Sequence, residues 1–197
     1  MKFRPSTTVN DAMGQTATMD SGIRPIFPGI ELIGTAYTVH CQPGSLITSH
    51  KALSKVPSGS IVVINGHGDS TGAVWGGLMT IEAIQKEIKG VVIDGAVRDA
   101  GTIRELGFPM FARHVTPRVG KNKELGSLEV PVVCGGVTVH TGDLIIGDDD
   151  GVVVVPKDSV DEILEKADQI EDREKEITEQ IKQGANGGKI MGLDKFF

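Results

Sequence analysis

Two uninterrupted apolar runs, Ser60-Ile61-Val62-Val63-Ile64-Asn65 and Gly90-Val91-Val92-Ile93, constrain most tightly what this chain can become. Neither alternates with polar residues, so each reads as a strand covered on both faces. Between them Leu78, Ile81, Ile84 and Ile88 recur at helical spacing, and Gly90 follows as a stop. Strand, helix and strand make a β-α-β unit, whose two strands are expected to lie parallel with a right-handed crossover. Such a unit brings the carboxyl ends of its strands together, which is where open α/β sheets bind ligands.

Both strand ends carry residues with chemistry. The first reads Asn65-Gly66-His67-Gly68-Asp69-Ser70-Thr71-Gly72 and leads to Gly76-Gly77-Leu78-Met79; the second reads Asp94-Gly95-Ala96-Val97-Arg98-Asp99. A glycine-rich segment opening a helix can offer free backbone N–H groups to an anion. An Arg beside an Asp offers a carboxylate fork and a hard-metal ligand. Together they predict a pocket for a small carboxylic acid held next to a divalent cation. Nucleotide motifs do not explain the glycines, because Thr71 breaks the dinucleotide fingerprint and Leu78 stands where a P-loop needs lysine. Blander readings compete: glycines serving a turn, Arg98 in a surface ion pair, and Asp99 capping a helix that begins at Ala100. Consecutive strand residues face opposite ways, so Arg98 and Asp99 share a pocket only if the chain turns at Asp99. A capping role demands that same turn.

Other polar clusters point away from chemistry. Asp148-Asp149-Asp150 lacks the spaced acids and closing Glu of a calcium loop and reads as a hairpin turn. The five histidines show no zinc spacing, His67 reads as core or surface, and no serine has nucleophile-elbow flanks. Trp75 reads as packing. Cys41 and Cys134 sit alone in apolar runs and read as buried thiols. A net charge of −6 argues against a general nucleic-acid surface, and an acidic chain that binds an anion must neutralise it locally. No leader or membrane-length apolar run opens the chain, so a cytoplasmic protein is the expectation.

Along the rest of the chain, helices are expected at Thr7 to Gly14, capped by Thr7 or Thr8, at Leu46 to Lys55, and at Ala100 to Leu106. Gly29 to Val39 and Phe108 to Arg113 read as strands. From Val130 the pattern turns to β, through Pro131 to Cys134, Val137 to Val139, Asp143 to Gly147 and Val152 to Val155. Asp158 to Lys182 reads as a long helix with an apolar stripe of Val160, Ile163, Ala167, Ile170, Ile177 and Ile181. One domain over residues 1–183 is expected, then a tail, 184–197, whose Ile190, Met191, Phe196 and Phe197 could dock on a neighbour. The fold class is α/β, with a short parallel β-α-β core, an antiparallel β layer and a long C-terminal helix. The chain is too short for a (β/α)₈ barrel.

With these residues in place, the chain resembles the family of the regulator of ribonuclease E activity A and the 4-hydroxy-4-methyl-2-oxoglutarate aldolases, many formerly labelled dimethylmenaquinone methyltransferases. The motifs that carry the resemblance are Val9-Asn10-Asp11-Ala12-Met13-Gly14, Gly34-Thr35-Ala36-Tyr37-Thr38-Val39, Asp94-Gly95-Ala96-Val97-Arg98-Asp99, Gly107 to Arg113, Val133 to Val137, and Asp148 to Pro156. The family's Gly, twenty residues, then Arg-Asp is met by Gly77, Arg98 and Asp99.

The resemblance implies a swivelling β/β/α sandwich, a homotrimer or hexamer with its site where subunits meet, and a divalent-metal lyase that releases pyruvate from a small 2-oxo acid and decarboxylates oxaloacetate. By position it makes Gly76, Gly77, Leu78 and Met79 substrate-binding backbone, Arg98 a substrate-binding and catalytic residue, and Asp99 the ligand of Mg²⁺ or Mn²⁺. Thr102 departs from the acid often found three residues after the Asp, and Glu105 lies one turn further. No general base is assigned. The alternative is a non-catalytic regulator that binds a ribonuclease E-type enzyme through its oligomer surface. Methyl transfer lacks a suitable glycine-rich cofactor loop.

Overall fold

The computed structural model describes residues 1–121 and 124–196. In chain order the elements are α1 (Ser6–Ala12), β1 (Arg24–Pro25), β2 (Leu32–His40), α2 (Ile47–Leu53), β3 (Ser60–Asp69), α3 (Gly77–Gln85), β4 (Gly90–Val97) and α4 (Ala100–Glu105). They continue with β5 (Met110–Val115), β6 (Ser127–Leu128), β7 (Val132–Cys134), β8 (Val137–Val139), β9 (Leu144–Asp148), β10 (Gly151–Val155), α5 (Val160–Lys182) and α6 (Gly187–Ile190). Phe197, the last of the expected docking residues, lies outside the described residues.

The two apolar runs do form neighbouring parallel strands. β2, β3, β4 and β5 pair in parallel, and β4 is buried at every residue, as a strand covered on both faces should be. Antiparallel strands extend the same sheet in the order β1-β5-β4-β3-β2-β9-β10, with β6 also on β2, while β7 and β8 form a separate hairpin. The sheet curls until its edges approach, where the Arg24 guanidinium donates to the Asp150 carbonyl at 3.3 Å. The fold is thus mixed α/β with a nearly closed sheet and a long C-terminal helix. Its antiparallel strands share the sheet with the parallel ones, because β9 pairs directly with β2 from Leu32↔Gly147 to Thr35↔Leu144.

Three apolar layers hold the sheet. Under α2, α3 and α4 lie Leu53, Ile64, Trp75, Ile93 and Ile103; on the opposite face Ile61, Val63, Phe111 and Ile145 pack beneath the β7–β8 hairpin. Val9, Ile146, Val153, Ile163 and Leu164 join α1 and α5 to β9 and β10. Within the second layer the buried Asp94 carboxylate accepts from Arg113 Nε and, at 2.9 Å, from the Gly135 N–H. Arg113 also reaches Asp20 at 2.9 Å. Asp94 and Asp20 hold the guanidinium pKa above its ordinary value, and the Gly22 N–H and Arg113 hold the Asp20 carboxyl below its own. This cluster fastens β4, β5 and the hairpin turn.

Several local expectations change for physical reasons. α1 begins at Ser6, and neither Thr7 nor Thr8 caps it; the Asp148 carboxylate does so through space, accepting the Ser6 N–H at 2.7 Å and its hydroxyl at 2.6 Å. Asp149 likewise accepts the Gly29 N–H at 2.8 Å. The three acids therefore sit in the β9–β10 hairpin turn and tie remote segments to it. β3 runs on through Asp69 with a bulge between Asn65 and Asp69, so much of the first glycine segment is strand. His67 is exposed, its ring edge-on to His40 at 4.9 Å.

The apolar stripe of α3 faces outward. Leu78, Ile81 and Ile84 are 85%, 44% and 37% exposed, and the buried face is Met79, Thr80 and Ala83. In α5 only Ile163, Leu164 and Ala167 are buried, because a helix about 35 Å long outruns the sheet it packs on. Both cysteines are buried and free, and burial pushes their thiol pKa values up. Among the described residues no helix is long and apolar enough to cross a membrane.

Inside the curled sheet Gly147 on β9 makes room for Phe111 on β5: a Cβ there would meet the ring at 2.9 Å. Neighbouring strands hold both residues, so the ring cannot swing away. Gly147→Ala is expected to cost about 1–3 kcal/mol, read as a lower urea midpoint at unchanged slope.

Candidate active site

The end of β4 builds the site. Before α3 starts, the segment Ala73–Gly76 runs alongside that strand end: Val74 N–H donates to the Ala96 carbonyl and Arg98 N–H to the Trp75 carbonyl, both at 3.0 Å. Trp75 is fully buried, and its Nε1–H donates at 3.0 Å to Thr80 Oγ1, whose own hydroxyl donates to the Gly76 carbonyl. Packing was the expected role of Trp75; the structure adds a bond that fixes the first turn of α3.

At Asp99 the backbone turns into the left-handed region, at φ 60° and ψ 35°. That conformation is uncommon outside glycine but is tolerated by Asp, and it allows two consecutive side chains to meet. Arg98 Nε donates to Asp99 Oδ1 at 3.2 Å, and Gly77 N–H donates to Asp99 Oδ2 at 3.1 Å. The capping expectation needs correcting here. Asp99 occupies the N-cap position of α4, but its side chain makes no cap bond there. It satisfies the first orphan N–H of α3 instead, which welds the two helix starts together. Gly76 is extended at φ −160°, so its need for glycine is spatial: a Cβ would lie 2.9 Å from both Arg98 Cγ and Asp99 Oδ2.

Gly76, Gly77, Leu78, Met79, Arg98 and Asp99 all line one cavity of about 250 Å³. Leu46, His50 and Val119 complete it from parts of the chain remote in sequence. Nothing in the sequence marks these three for a site, because no motif links α2 or the 118–121 segment to β4. A second cleft of about 560 Å³ adjoins, sharing Val119 and presenting Arg118 and Lys121. The Arg98 and Asp99 side chains are 39% and 37% exposed.

Helix geometry leaves donors over. The N–H groups of Leu78 and Met79 lie in the first turn of α3 and have no protein acceptor among the described residues. The Nη groups of Arg98 are likewise without an acceptor there. Several donors of one sign, beside one carboxylate, suit a ligand that carries a carboxylate and a second oxygen. Thr102 lies against Gly77, its Cγ2 3.4 Å from the position of a Cβ there. Glu105 is not among the residues lining the cavity. Among the described residues no group of three or more His, Cys, Asp or Glu is arranged to hold a metal.

This fold and site define a family, and comparison with known proteins agrees. The chain belongs to the RraA-like family, described as Aldolase/RraA, whose match spans residues 6–154. An uncharacterized protein of Methanocaldococcus jannaschii is 41% identical over 88% of this chain and 85% of its own length. A Halalkalibacterium halodurans protein named "Putative 4-hydroxy-4-methyl-2-oxoglutarate aldolase" is 33% identical over 96% of this chain and 88% of its own. Among solved structures, an uncharacterized Pseudomonas syringae pv. tomato protein superposes with TM-score 0.87 at 33% identity, covering 94% of this chain and 88% of that one. The RNA-processing inhibitor RraA from Thermus thermophilis gives TM-score 0.72 at 25% identity, over 80% and 94% respectively.

The Asp99 geometry makes a separable stability prediction. Asp99→Ala removes both the acceptor for the Gly77 N–H and a residue that tolerates the left-handed turn, and should cost about 1–2 kcal/mol. Asp99→Asn keeps both features and should stay within about 0.5 kcal/mol of the parent in urea unfolding.

Proposed function

We propose that this protein is a divalent-metal-dependent lyase that cleaves a C–C bond of a small 2-oxo acid and releases pyruvate, with oxaloacetate decarboxylation as a simple form of the reaction. One observation carries the reading. The Arg98–Asp99 pair and the unpaired first-turn amides of α3 open into the same cavity. The aldolase name of the Halalkalibacterium relative supports it.

A single carboxylate is a sparse donor set, and it fits Mg²⁺ or Mn²⁺, which take one or two carboxylates and fill the remaining positions with water and substrate oxygens. Each Asp99 oxygen accepts one hydrogen bond and has lone-pair capacity left for a cation. When bound, such a cation supplies Lewis-acid stabilisation of negative charge developing on the substrate's 2-oxo oxygen.

The chain's own residues do the remainder. The Leu78 and Met79 amides hold the substrate's C1 carboxylate at the positive end of α3. Arg98, oriented by its Nε bond to Asp99, turns its Nη groups to the 2-oxo oxygen, which gains charge as the C–C bond breaks. Because donors and carboxylate are fixed before substrate arrives, little reorganisation accompanies that charge. No Schiff-base lysine is needed.

We also propose that the active form is a homotrimer or hexamer whose neighbour covers this cavity. The outward stripe Leu78, Ile81 and Ile84 begins at the cavity mouth, and an apolar stripe of that kind suits a subunit contact. Met191, Leu193 and Phe196 add exposed apolar surface in the tail. The alternative, a regulator docking on an RNA-degrading enzyme, draws support from the Thermus relative, an RNA-processing inhibitor. Such a role needs the apolar surface but has no use for an Arg–Asp pair welded to a helix start.

Purified protein with Mg²⁺ or Mn²⁺ should release pyruvate from at least one of a panel of 2-oxo acids, measured with and without chelator. Arg98→Lys should lose most activity, since a point charge does not replace a fork. Thr102→Glu, which puts an acid beside Gly77 and Asp99, should tighten metal binding by about 10–100-fold in calorimetry. A panel without any turnover would end the lyase reading.

For the assembly, light scattering should give a trimer or hexamer for the parent. Ile81→Asp with Ile84→Asp, which places charge on the stripe, should lower the mass and the activity together. A fully active monomer would overturn the shared site.

A further inference from the structure

Resting on the lyase reading, we propose that His50 is the proton donor that turns the pyruvate enolate into pyruvate. Cleavage leaves a carbon that must gain a proton, and the part of the cavity wall that this chain supplies offers few donors. Besides His50, its side chains with nitrogen or oxygen atoms are Trp75, Arg98 and Asp99. Trp75 is buried and commits its only N–H to Thr80. Arg98 does not give up a proton in a protein. Asp99 uses both carboxylate oxygens as acceptors, for Gly77 N–H and Arg98 Nε, and is the metal ligand of the lyase reading.

His50 is different in each respect. Its imidazole is exposed on α2, has no hydrogen bond or ion pair among the described residues, and lines the same cavity as Arg98 and Asp99. Imidazole is also the side chain most often used to move protons in catalysis. The helix that carries it is anchored on both sides. Thr48, Ser49, Ala52 and Leu53 are buried, and the Leu46 N–H donates to the Lys121 carbonyl at 3.3 Å. Leu46, Val74 and Val119 give the cavity an apolar wall beside the ring, which leaves the imidazole as its polar feature on that side.

The step balances without a further reactant. The C–C bond breaks, its electron pair passes into the enolate, and the other fragment leaves as CO₂ from oxaloacetate, or from an aldol substrate as a carbonyl compound whose hydroxyl proton passes to water. The enolate's C2–C3 π pair then takes a proton from the protonated ring of His50, a C3–H bond forms, and the C2 carbonyl is restored. Neutral imidazole regains its proton from water. Run backwards, neutral His50 removes a methyl proton from pyruvate, so the enzyme must exchange pyruvate methyl hydrogen with solvent.

The test uses the metal-loaded protein, pyruvate in D₂O followed by proton NMR, and oxalate as a non-reacting mimic of the enolate. His50→Gln should slow methyl exchange by about 100-fold or more, the usual contribution of a positioned acid–base group. Its oxalate affinity should match the parent's. His50→Ala should regain exchange when imidazole is added, which a merely structural role would not produce. Exchange at the parental rate in His50→Gln, or a loss fully accounted for by weaker oxalate binding, overturns the proposal while the lyase reading stands. A parent protein that releases no pyruvate from any 2-oxo acid overturns both.

Discussion

The parallel pairing of β3 with β4 is the constraint on which the rest of the structure depends. Both strands are buried on two faces, so their backbone groups must be satisfied within the sheet, and the register Ile61↔Gly90 to Asn65↔Asp94 does so. Two consequences follow. The helix between them must cross one face, which sets the start of α3 beside the end of β4. The chain leaving β4 must then turn sharply, and it does so at Asp99. The site is where these two requirements meet.

What fixes the site so tightly is a shortage of space. Asp99 reaches the Gly77 N–H only because Gly76 has no Cβ to intervene. The carboxylate that caps a neighbouring helix also orients Arg98, so one residue holds a helix terminus and a guanidinium at once. That convergence has a physical basis. A left-handed Asp costs conformational energy, and the two hydrogen bonds its side chain makes offset that cost.

The same geometry explains why an apolar stripe on α3 points outward. Trp75 and Thr80 lock the first turn through side-chain bonds, and that lock sets the rotation of the helix about its axis. Met79 and Ala83 are thereby turned into the core, and Leu78, Ile81 and Ile84 are left on the outside. Helical spacing alone cannot tell a core stripe from an interface stripe, because both need the same residues.

By itself the sequence determined the β-α-β centre, the β9–β10 hairpin at its three acids, the long last helix, and the pair Arg98–Asp99 with Gly76 to Met79 as neighbours in space. These are local signals, since burial on two faces, turn chemistry and strand-end topology can be read from short windows. Only the tertiary structure decided that Asp148 caps α1, that Asp99 serves α3 instead of its own helix, that the β layers share one sheet, and that His50 and Val119 wall the cavity. Each joins residues tens of positions apart, and no periodicity records such a meeting. It arises when a buried N–H must find an acceptor, or when packed elements leave one position facing a hollow.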